Sequence, residues 1–254
     1  PLREQFADKY SYGGYRESSF VETYRKNYPK DGFYRRCQVY MLLKGAGGFF
    51  RGSIAPRGEV DGDKVRELFR SLEQEGLAVA YQVSGLVMLK EALCYYEGEE
   101  KKLLAAVEKS FAGYLKERRV ETVHAFLNAP AFGRFFGLYV MRKDAESFKQ
   151  EILGYSQDSS KLVREELQDI LYGQRGWEEE VKGLLASRKA GEREIAIRVL
   201  LHWQKDGSYE ELFAQALEKE KNNKVRELLL KIMQAQGDGT AGQVLAQEEL
   251  VKEI

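Results

Sequence analysis

The second half of the chain repeats itself about every 32 residues, and this internal repeat limits its fold more than any other feature of the sequence. Two sets of apolar residues carry the period: Val163, Ile195 and Val225, spaced by 32 and 30 residues, and Leu153, Leu185 and Leu217, spaced by 32. Within each repeat, apolar residues recur at intervals of three and four, which is typical of one buried stripe on a helix. The pattern therefore predicts four helical hairpins over residues 131–254.

Each predicted hairpin consists of a first and a second helix. The second helices are predicted over residues 144–155, 177–187, 208–219 and from Thr240 onward. Ser208-x-x-Glu211 and Thr240-x-x-Gln243 match the capping box, and Asp144, Ser160 and Asn223 stand where other helices are expected to begin. The residues expected to be buried between neighbouring hairpins are Leu167, Leu171, Leu185, Val199, Leu200, Leu217 and Leu229.

Three motifs open the first helices of consecutive hairpins: Lys161-Leu-Val-Arg-Glu-Glu-Leu, Glu192-Arg-Glu-Ile-Ala-Ile-Arg-Val-Leu and Lys224-Val-Arg-Glu-Leu-Leu-Leu. They resemble the motifs that open HEAT repeats, and the resemblance covers about half of the chain. It implies an all-α fold of the HEAT-like α-solenoid type, in which helical hairpins stack into a right-handed superhelix. The repeats are also similar to the helical-repeat portions of large bacterial proteins of the molybdate-metabolism-regulator type. These resemblances specify architecture rather than function.

The sequence upstream of the repeats divides into two further regions. Residues 59–130 contain four more helical patterns of less regular length, which we expect to form irregular hairpins that extend the stack. Residues 1–58 are rich in tyrosine and glycine and carry 11 basic and 5 acidic side chains, whereas residues 59–254 carry 29 basic and 35 acidic ones. The two parts therefore have net charges of +6 and −6, and the first is expected to form a basic N-terminal cap segment.

Composition and sequence patterns limit which classes of partner the chain is expected to bind and in which cellular compartment it is expected to occur. The 40 basic and 40 acidic side chains balance, which removes the global electrostatic argument for binding nucleic acid or an acidic membrane. No apolar run reaches the roughly 18 residues needed to span a bilayer, and the N-terminus has no signal-peptide pattern. Two cysteines, Cys37 and Cys94, cannot form a disulfide framework, so we expect a cytoplasmic protein. Because a helical pattern continues to Ile254 and the chain begins at Pro1, we expect a piece of a larger polypeptide.

No pattern of catalytic or ligand-binding residues emerges from the sequence. His124 and His202 are 78 residues apart, and the two cysteines are 57 apart, so neither pair has the short spacing of a preorganised metal site. The glycine cluster between Gly45 and Gly52 is followed by Ser53, where a phosphate-binding P-loop requires lysine. No Gly-x-Ser-x-Gly nucleophile elbow occurs. We therefore expect no catalytic residue, no metal and no cofactor.

The charge of the second helices favours a protein partner. In stacked hairpins these helices usually line the extended binding surface. Residues 144–155, 177–187 and 208–219 each carry three acidic side chains and one basic one, a total of −6, so a basic protein segment is the expected partner. The candidate contact residues on these helices are Glu178, Glu179, Glu210 and Glu211.

Aromatic and cationic side chains alternate in the N-terminal segment, and this pattern has two interpretations. Aromatic rings can stack on bases while cations neutralise phosphates. The same residues can instead pair with the acidic remainder of the protein or with an acidic partner, and we favour this interpretation. The residues concerned are Tyr24, Arg25, Lys26, Arg35 and Arg36.

The alternative function is DNA recognition. The HEAT-like alkylpurine DNA glycosylases resemble this chain in size and helical-repeat architecture. The glycosylases hold a damaged nucleotide with tryptophans and an aspartate, and Trp177, Trp203 and Asp206 are available here. The acidic second helices have the wrong sign for a phosphate backbone. The sequence therefore predicts a non-catalytic protein-interaction scaffold, with a HEAT-like DNA-binding protein or an alkylpurine DNA glycosylase as the alternative.

Overall fold

The structure is a computed structural model, and it describes residues 60–74, 78–92, 99–204 and 209–237. All regular elements in these ranges are helical, and no β-strand occurs within them. The predicted all-α fold class is therefore confirmed for this part of the chain. The basic segment 1–58, the capping boxes that begin at Ser208 and Thr240, and the last predicted second helix lie outside the described residues.

The chain divides into two compact units, Pro1–Val140 and Met141–Ile254. The division lies at the end of the first helix of the first predicted repeat. Four helices of the first unit coincide with the four helical patterns seen upstream of the repeats, and a fifth helix ends at the division. They are α1 (Gly62–Gln74), α2 (Val79–Ala92), α3 (Glu100–Glu117), α4 (Arg119–Leu127) and α5 (Ala131–Met141).

The core of the first unit is an aromatic cluster centred on Phe111 of α3, which is fully buried. Its ring packs edge-on against Phe69 of α1 and Phe136 of α5, with ring centroids 5.9 and 5.1 Å apart. Phe126 of α4 and Tyr114 of α3 complete the cluster at 5.7 and 5.4 Å. Because such aromatic pairs stabilise a core beyond their buried area, the cluster holds α1, α4 and α5 around α3.

Helix α5 approaches α4 closely because it has a glycine at the contact. A Cβ atom at Gly137 would lie 2.8 Å from the Cβ of Phe126, which is closer than real Cβ atoms approach other heavy atoms. A larger residue would push the two helices apart and separate the rings of Phe126 and Phe136, whose centroids are 6.0 Å apart. Gly137 is therefore required by packing.

The second unit contains the remaining helices, several of them joined by short 3₁₀ segments. The 3₁₀ segments are Arg142–Phe148, Gly154–Gln157 and Arg175–Trp177. The α-helices are α6 (Lys149–Leu153), α7 (Lys161–Tyr172), α8 (Glu178–Leu185), α9 (Ala190–Trp203), α10 (Glu210–Lys219) and α11 (Asn223–Gly237). In the terms of the predicted repeats, α7, α9 and α11 are first helices, and α8 and α10 are second helices.

First helices of consecutive hairpins pack on one another in chain order. Helix α7 contacts α9, and α9 contacts α11. Each second helix contacts the first helix that follows it, α8 with α9 and α10 with α11. Helix α9 is therefore covered from three sides, and eight of its 14 residues are buried. It is the central element of the described part of this unit.

The predicted core residues of the first helices are buried as expected. Those with no exposed surface are Leu167, Leu171, Val199, Leu200 and Leu229. The prediction was wrong for the second helices, where Leu185 and Leu217 are only half-buried. Val181 and Phe213, also 32 residues apart, are fully buried instead. They lie four residues earlier on their helices, so the stripe that faces the core passes through them and leaves the two leucines at its edge.

Two predicted helix starts are correct to within one residue, but their capping side chains differ from the prediction. Ser160 precedes α7, yet its hydroxyl makes no capping hydrogen bond. Instead, Oδ1 of Asp158 accepts the amide of Ser160 at 2.8 Å. Before α11, the capping residue is Asn222 rather than Asn223, and its Oδ1 accepts the amide of Val225 at 3.2 Å. The conformation of each loop decides which polar side chain reaches a free amide.

The first hairpin differs more from the prediction. Asp144 was expected to begin its second helix, but it lies inside the 3₁₀ segment Arg142–Phe148. Its backbone, with φ −132° and ψ 52°, is outside the helical region. Regular α-helical geometry begins only at Lys149.

Replacing Leu200 by alanine should destabilise the second unit by about 2–5 kcal/mol, because a buried leucine loses its contacts and leaves a cavity. Unfolding can be followed by the fluorescence of Trp177 and Trp203, the two tryptophans of the chain, which both belong to this unit. The matched control is Leu230→Ala on α11, where the side chain is 40% exposed and little should change. A loss below about 1 kcal/mol at Leu200 would contradict its assigned burial.

Candidate interaction groove

Aromatic donors near the second helices bind acidic residues of the preceding hairpin, and this arrangement repeats. The indole Nε1 of Trp177 donates to Oε2 of Glu146 at 2.7 Å. Thirty-two residues further on, the hydroxyl of Tyr209 donates to the carboxylate of Glu178, and burial together with this hydrogen bond raises the pKa of Tyr209. Both rings are buried. Each pair therefore satisfies a buried donor and fixes one hairpin against the next.

An arginine is the fourth residue of α7, α9 and α11, and each one binds the segment that precedes its helix. The guanidinium NH1 group is the donor, and a backbone carbonyl oxygen is the acceptor. The bonds join Arg164 to Asp158 and Ser159 at 3.0 and 2.7 Å, Arg193 to Ser187 at 2.9 Å, and Arg226 to Leu217 at 3.1 Å. Sequence reasoning assigned these arginines no role, although their recurrence at one helix position is the signal that identifies them.

Arg193 also links the loops on either side of its hairpin through a partly buried ion pair. Its Nε and NH2 groups donate to the two carboxylate oxygens of Glu220, each at 2.7 Å. Glu220 accepts the amide of Asn222 as well, at 2.7 Å, and the Arg193 contact holds its pKa below the usual range. Because the same guanidinium binds the carbonyl of Ser187, it ties the loop before α9 to the loop before α11.

An open groove lies between the second helices α8 and α10. It consists of two adjoining parts, with volumes of about 560 and 480 Å³, which share Lys182, Leu212 and Gln215. Its apolar lining consists of Leu185, Ala186, Leu212 and Ala216. Residues from the first turns of both helices line one part, and residues from their last turns line the other. The two helices therefore run in the same direction along the groove.

At the end formed by the first turns, which we call the N-terminal end, acidic and basic side chains are mixed. Glu178 and Glu211 line this end together with Arg175 and Lys182. The Lys182 ammonium lies 2.9 Å from Oε1 of Glu178 and lowers the pKa of that carboxylate. Part of the acidic charge is thus already paired within α8.

At the opposite end, which we call the C-terminal end, the lining is basic. Arg188, Lys219 and Lys221 line it, and all three side chains are exposed. Arg193 and Glu220 line it too, but they neutralise each other. Within the described residues, no carboxylate forms an ion pair with the three exposed cations. This end therefore presents free positive charge beside an apolar lining.

The four predicted contact residues of the second helices are all in the first turns of α8 and α10. Glu178 and Glu211 line the groove. Glu179 and Glu210 are exposed beside them, and Glu179 lies 3.0 Å from the ammonium of Lys182. The structure thus brings the four glutamates to one end of the groove. Their role in binding a partner stays a prediction, and Tyr24, Arg25, Lys26, Arg35 and Arg36 lie outside the described residues.

The groove as a whole is less acidic than the helix charges suggested. The cations that line its two parts are Arg175, Lys182, Arg188, Arg193, Lys219 and Lys221, and the anions are Glu178, Glu211 and Glu220. A sum taken over the second helices omits the connecting segments, which contribute Arg175, Arg188 and Lys221, and the first helix α9, which contributes Arg193. The acidic character is confined to the N-terminal end.

The tryptophans considered for DNA recognition are packing residues. Trp177 and Trp203 are 1% and 4% exposed. The indole Nε1 of Trp203 donates to the backbone carbonyl of Tyr172 at 2.8 Å, and His202 stacks on the Tyr172 ring with centroids 3.9 Å apart. Neither indole presents a free face to a nucleotide, and Asp206 lies outside the described residues.

No family model, curated protein or solved structure matches this chain. Among the described residues, no three histidine, cysteine, aspartate or glutamate side chains come together as a metal site requires. Over the same ranges, no helix combines the length and the apolar character needed to cross a bilayer. The function is therefore inferred from the geometry and charge of the groove.

Replacing Glu220 by glutamine should lower the stability of the second unit at neutral pH by about 1–3 kcal/mol, because Arg193 loses its charged partner. Since the pKa of Glu220 is lowered in the folded state, this stabilisation is present above the unfolded-state pKa and is lost as the pH falls through the folded-state pKa. Glu220→Gln should therefore flatten the acid limb of the stability curve, measured by urea unfolding at several pH values.

The matched control for this experiment is Glu179→Gln. The Glu179 side chain is 84% exposed, so removal of its charge should leave the unfolding midpoint unchanged. If Glu220→Gln unfolds like the unsubstituted chain at neutral pH, the ion pair does not join the two loops.

Proposed function

We propose that this chain is a non-catalytic protein-interaction module of the HEAT-like α-solenoid type, and that the groove between α8 and α10 binds a segment of a partner protein. The observation that carries the proposal is the groove itself, in which an apolar lining is bordered by charged side chains. An apolar centre with a polar rim is the usual anatomy of a protein–protein interface.

Contacts between neighbouring hairpins support the solenoid part of the proposal. Polar contacts in the second unit join residues about one repeat apart, and this separation is expected when each hairpin packs mainly on the next. These contacts are Ser156 with Glu192, Lys189 with Gln157, Arg193 with Glu220, and Lys224 with Glu194, separated by 36, 32, 27 and 30 residues. A right-handed superhelical arrangement of the hairpins belongs to the same proposal.

The lining of the groove supports a protein partner over a nucleic acid. Leu185, Leu212 and Ala216 are half-buried, so a partner that covered them would remove further apolar surface from water. Glu211 and Glu210 at the N-terminal end would repel a phosphate backbone but attract lysine or arginine side chains. A partner segment is therefore expected to place a basic side chain at this end, as the sequence predicts.

Blocking the groove should abolish partner capture. Ala216 lines the groove and is half-buried, so Ala216→Tyr should fill the groove without entering the core. The matched control is Ala105→Tyr, a change of the same size at an exposed position of α3. We expect proteins captured from a lysate of the source cells by the unsubstituted chain and by Ala105→Tyr to be missing with Ala216→Tyr.

Circular dichroism of both variants would show whether the helical content is retained. If every captured protein is retained equally by Ala216→Tyr, the groove is not the binding surface. If no protein is captured above a blank matrix, the proposed interaction function is wrong.

A further inference from the structure

The C-terminal end of the groove carries positive charge that the fold does not use. Arg188, Lys219 and Lys221 are exposed, and none has a carboxylate partner among the described residues. The neighbouring Arg193 and Glu220 form a closed pair, with Glu220 also accepting the amide of Asn222. Three positive charges therefore remain beside the apolar lining.

These cations are positioned by the backbone of the second helices. Lys219 is the last residue of α10, and Lys221 follows two residues later. Arg188 follows the end of α8 by three residues. Cations near helix C-termini are favoured by the partial negative charge of the free carbonyl groups. This preference explains why the three cations occur here, and their exposed charged groups can still bind a partner.

We infer that the groove selects a partner segment with charges of both signs. The segment places an aspartate or glutamate at the groove's C-terminal end, apolar side chains along the groove's centre and a basic side chain at the groove's N-terminal end. The inference rests on the proposed function and adds the partner's acidic residue and its position. A carboxylate at this end would face Arg188, Lys219 and Lys221. A uniformly basic segment would meet like charge there and bind less tightly.

The length of the helices sets the spacing of the partner's charges. Helix α10 has 10 residues, so at about 1.5 Å per residue the two ends of the groove are roughly 15 Å apart. An extended peptide covers about 3.3 Å per residue, so the acidic and basic side chains should be separated by about four residues. The residues between them would contact Leu185, Leu212 and Ala216.

A nucleic acid could also be attracted by three cations, and the opposite end of the groove argues against it. A strand that continued along the groove would bring further phosphates to Glu178 and Glu211. A single carboxylate on an otherwise apolar or basic segment avoids this repulsion. The observations therefore favour a protein segment with charges of both signs.

The test is a selection from a display library of random peptides against the full chain. The selection is repeated with a variant in which the three cations are reversed, Arg188→Glu, Lys219→Glu and Lys221→Glu. The matched control reverses three lysines on the exposed surface of α3, Lys101→Glu, Lys109→Glu and Lys116→Glu, which changes the net charge by the same amount. Ala216→Tyr serves as the blocked groove.

We expect the unsubstituted chain and the α3 control to enrich peptides with an acidic and a basic residue about four positions apart. The variant with the three reversed cations, which we call the groove variant, should lose the preference for the acidic residue and favour basic residues at both positions. A synthetic peptide of the enriched sequence, measured by fluorescence anisotropy, should bind the groove variant at least about tenfold more weakly than the control, with the difference reduced at high salt.

The outcomes separate this inference from the proposed function. If the enriched peptides no longer bind Ala216→Tyr but show no preference for an acidic residue, the inference is wrong and the groove remains an interaction site. If no enriched peptide is lost with Ala216→Tyr, both are wrong. If duplex DNA binds the unsubstituted chain more tightly than any peptide, and the three reversed cations abolish this binding, the basic end is a phosphate site and the inference is overturned.

Discussion

The packing of α9 against α7, α8 and α11 is the interaction on which the rest of the second unit depends. Eight of the 14 residues of α9 are buried, including Val199 and Leu200, which have no exposed surface. A single hairpin cannot cover both sides of such a helix, so burial requires neighbours on either side along the chain. The groove forms between α8 and α10 because each of them packs on a first helix of this shared core.

Polar contacts between hairpins set the register of the packing. Arg193 binds Glu220 and the carbonyl of Ser187, while Trp177 binds Glu146 one repeat earlier. Buried ion pairs gain little net stability, because desolvation of both charges offsets most of their attraction. Breaking one is nevertheless costly, since the remaining charge is left without a partner. Contacts of this kind therefore favour one relative position of neighbouring hairpins over slightly shifted ones.

The groove combines a weakly apolar lining with charges of opposite character at its two ends. The half-buried Leu185 and Leu212 offer limited area, so a partner would gain moderate affinity from them. The exposed charges, among them Glu211 and Lys219, would add specificity and orientation more than affinity, because water and salt screen them. The proposed interaction would therefore be reversible recognition of a short segment.

Apart from the second helix of the first hairpin, the sequence by itself determined the described helices and the core of the first helices, because the 3.6-residue period and the 32-residue repeat are visible in the sequence alone. Leu167, Val199 and Leu229 were correctly predicted to be buried on this basis. Tertiary structure decided what depends on neighbours: which turn of a second helix faces the core, and which loop side chains reach the groove. Leu185 is half-buried and Arg188 lines the basic end, because packing on α9 fixes how α8 is rotated about its axis and where the following loop lies.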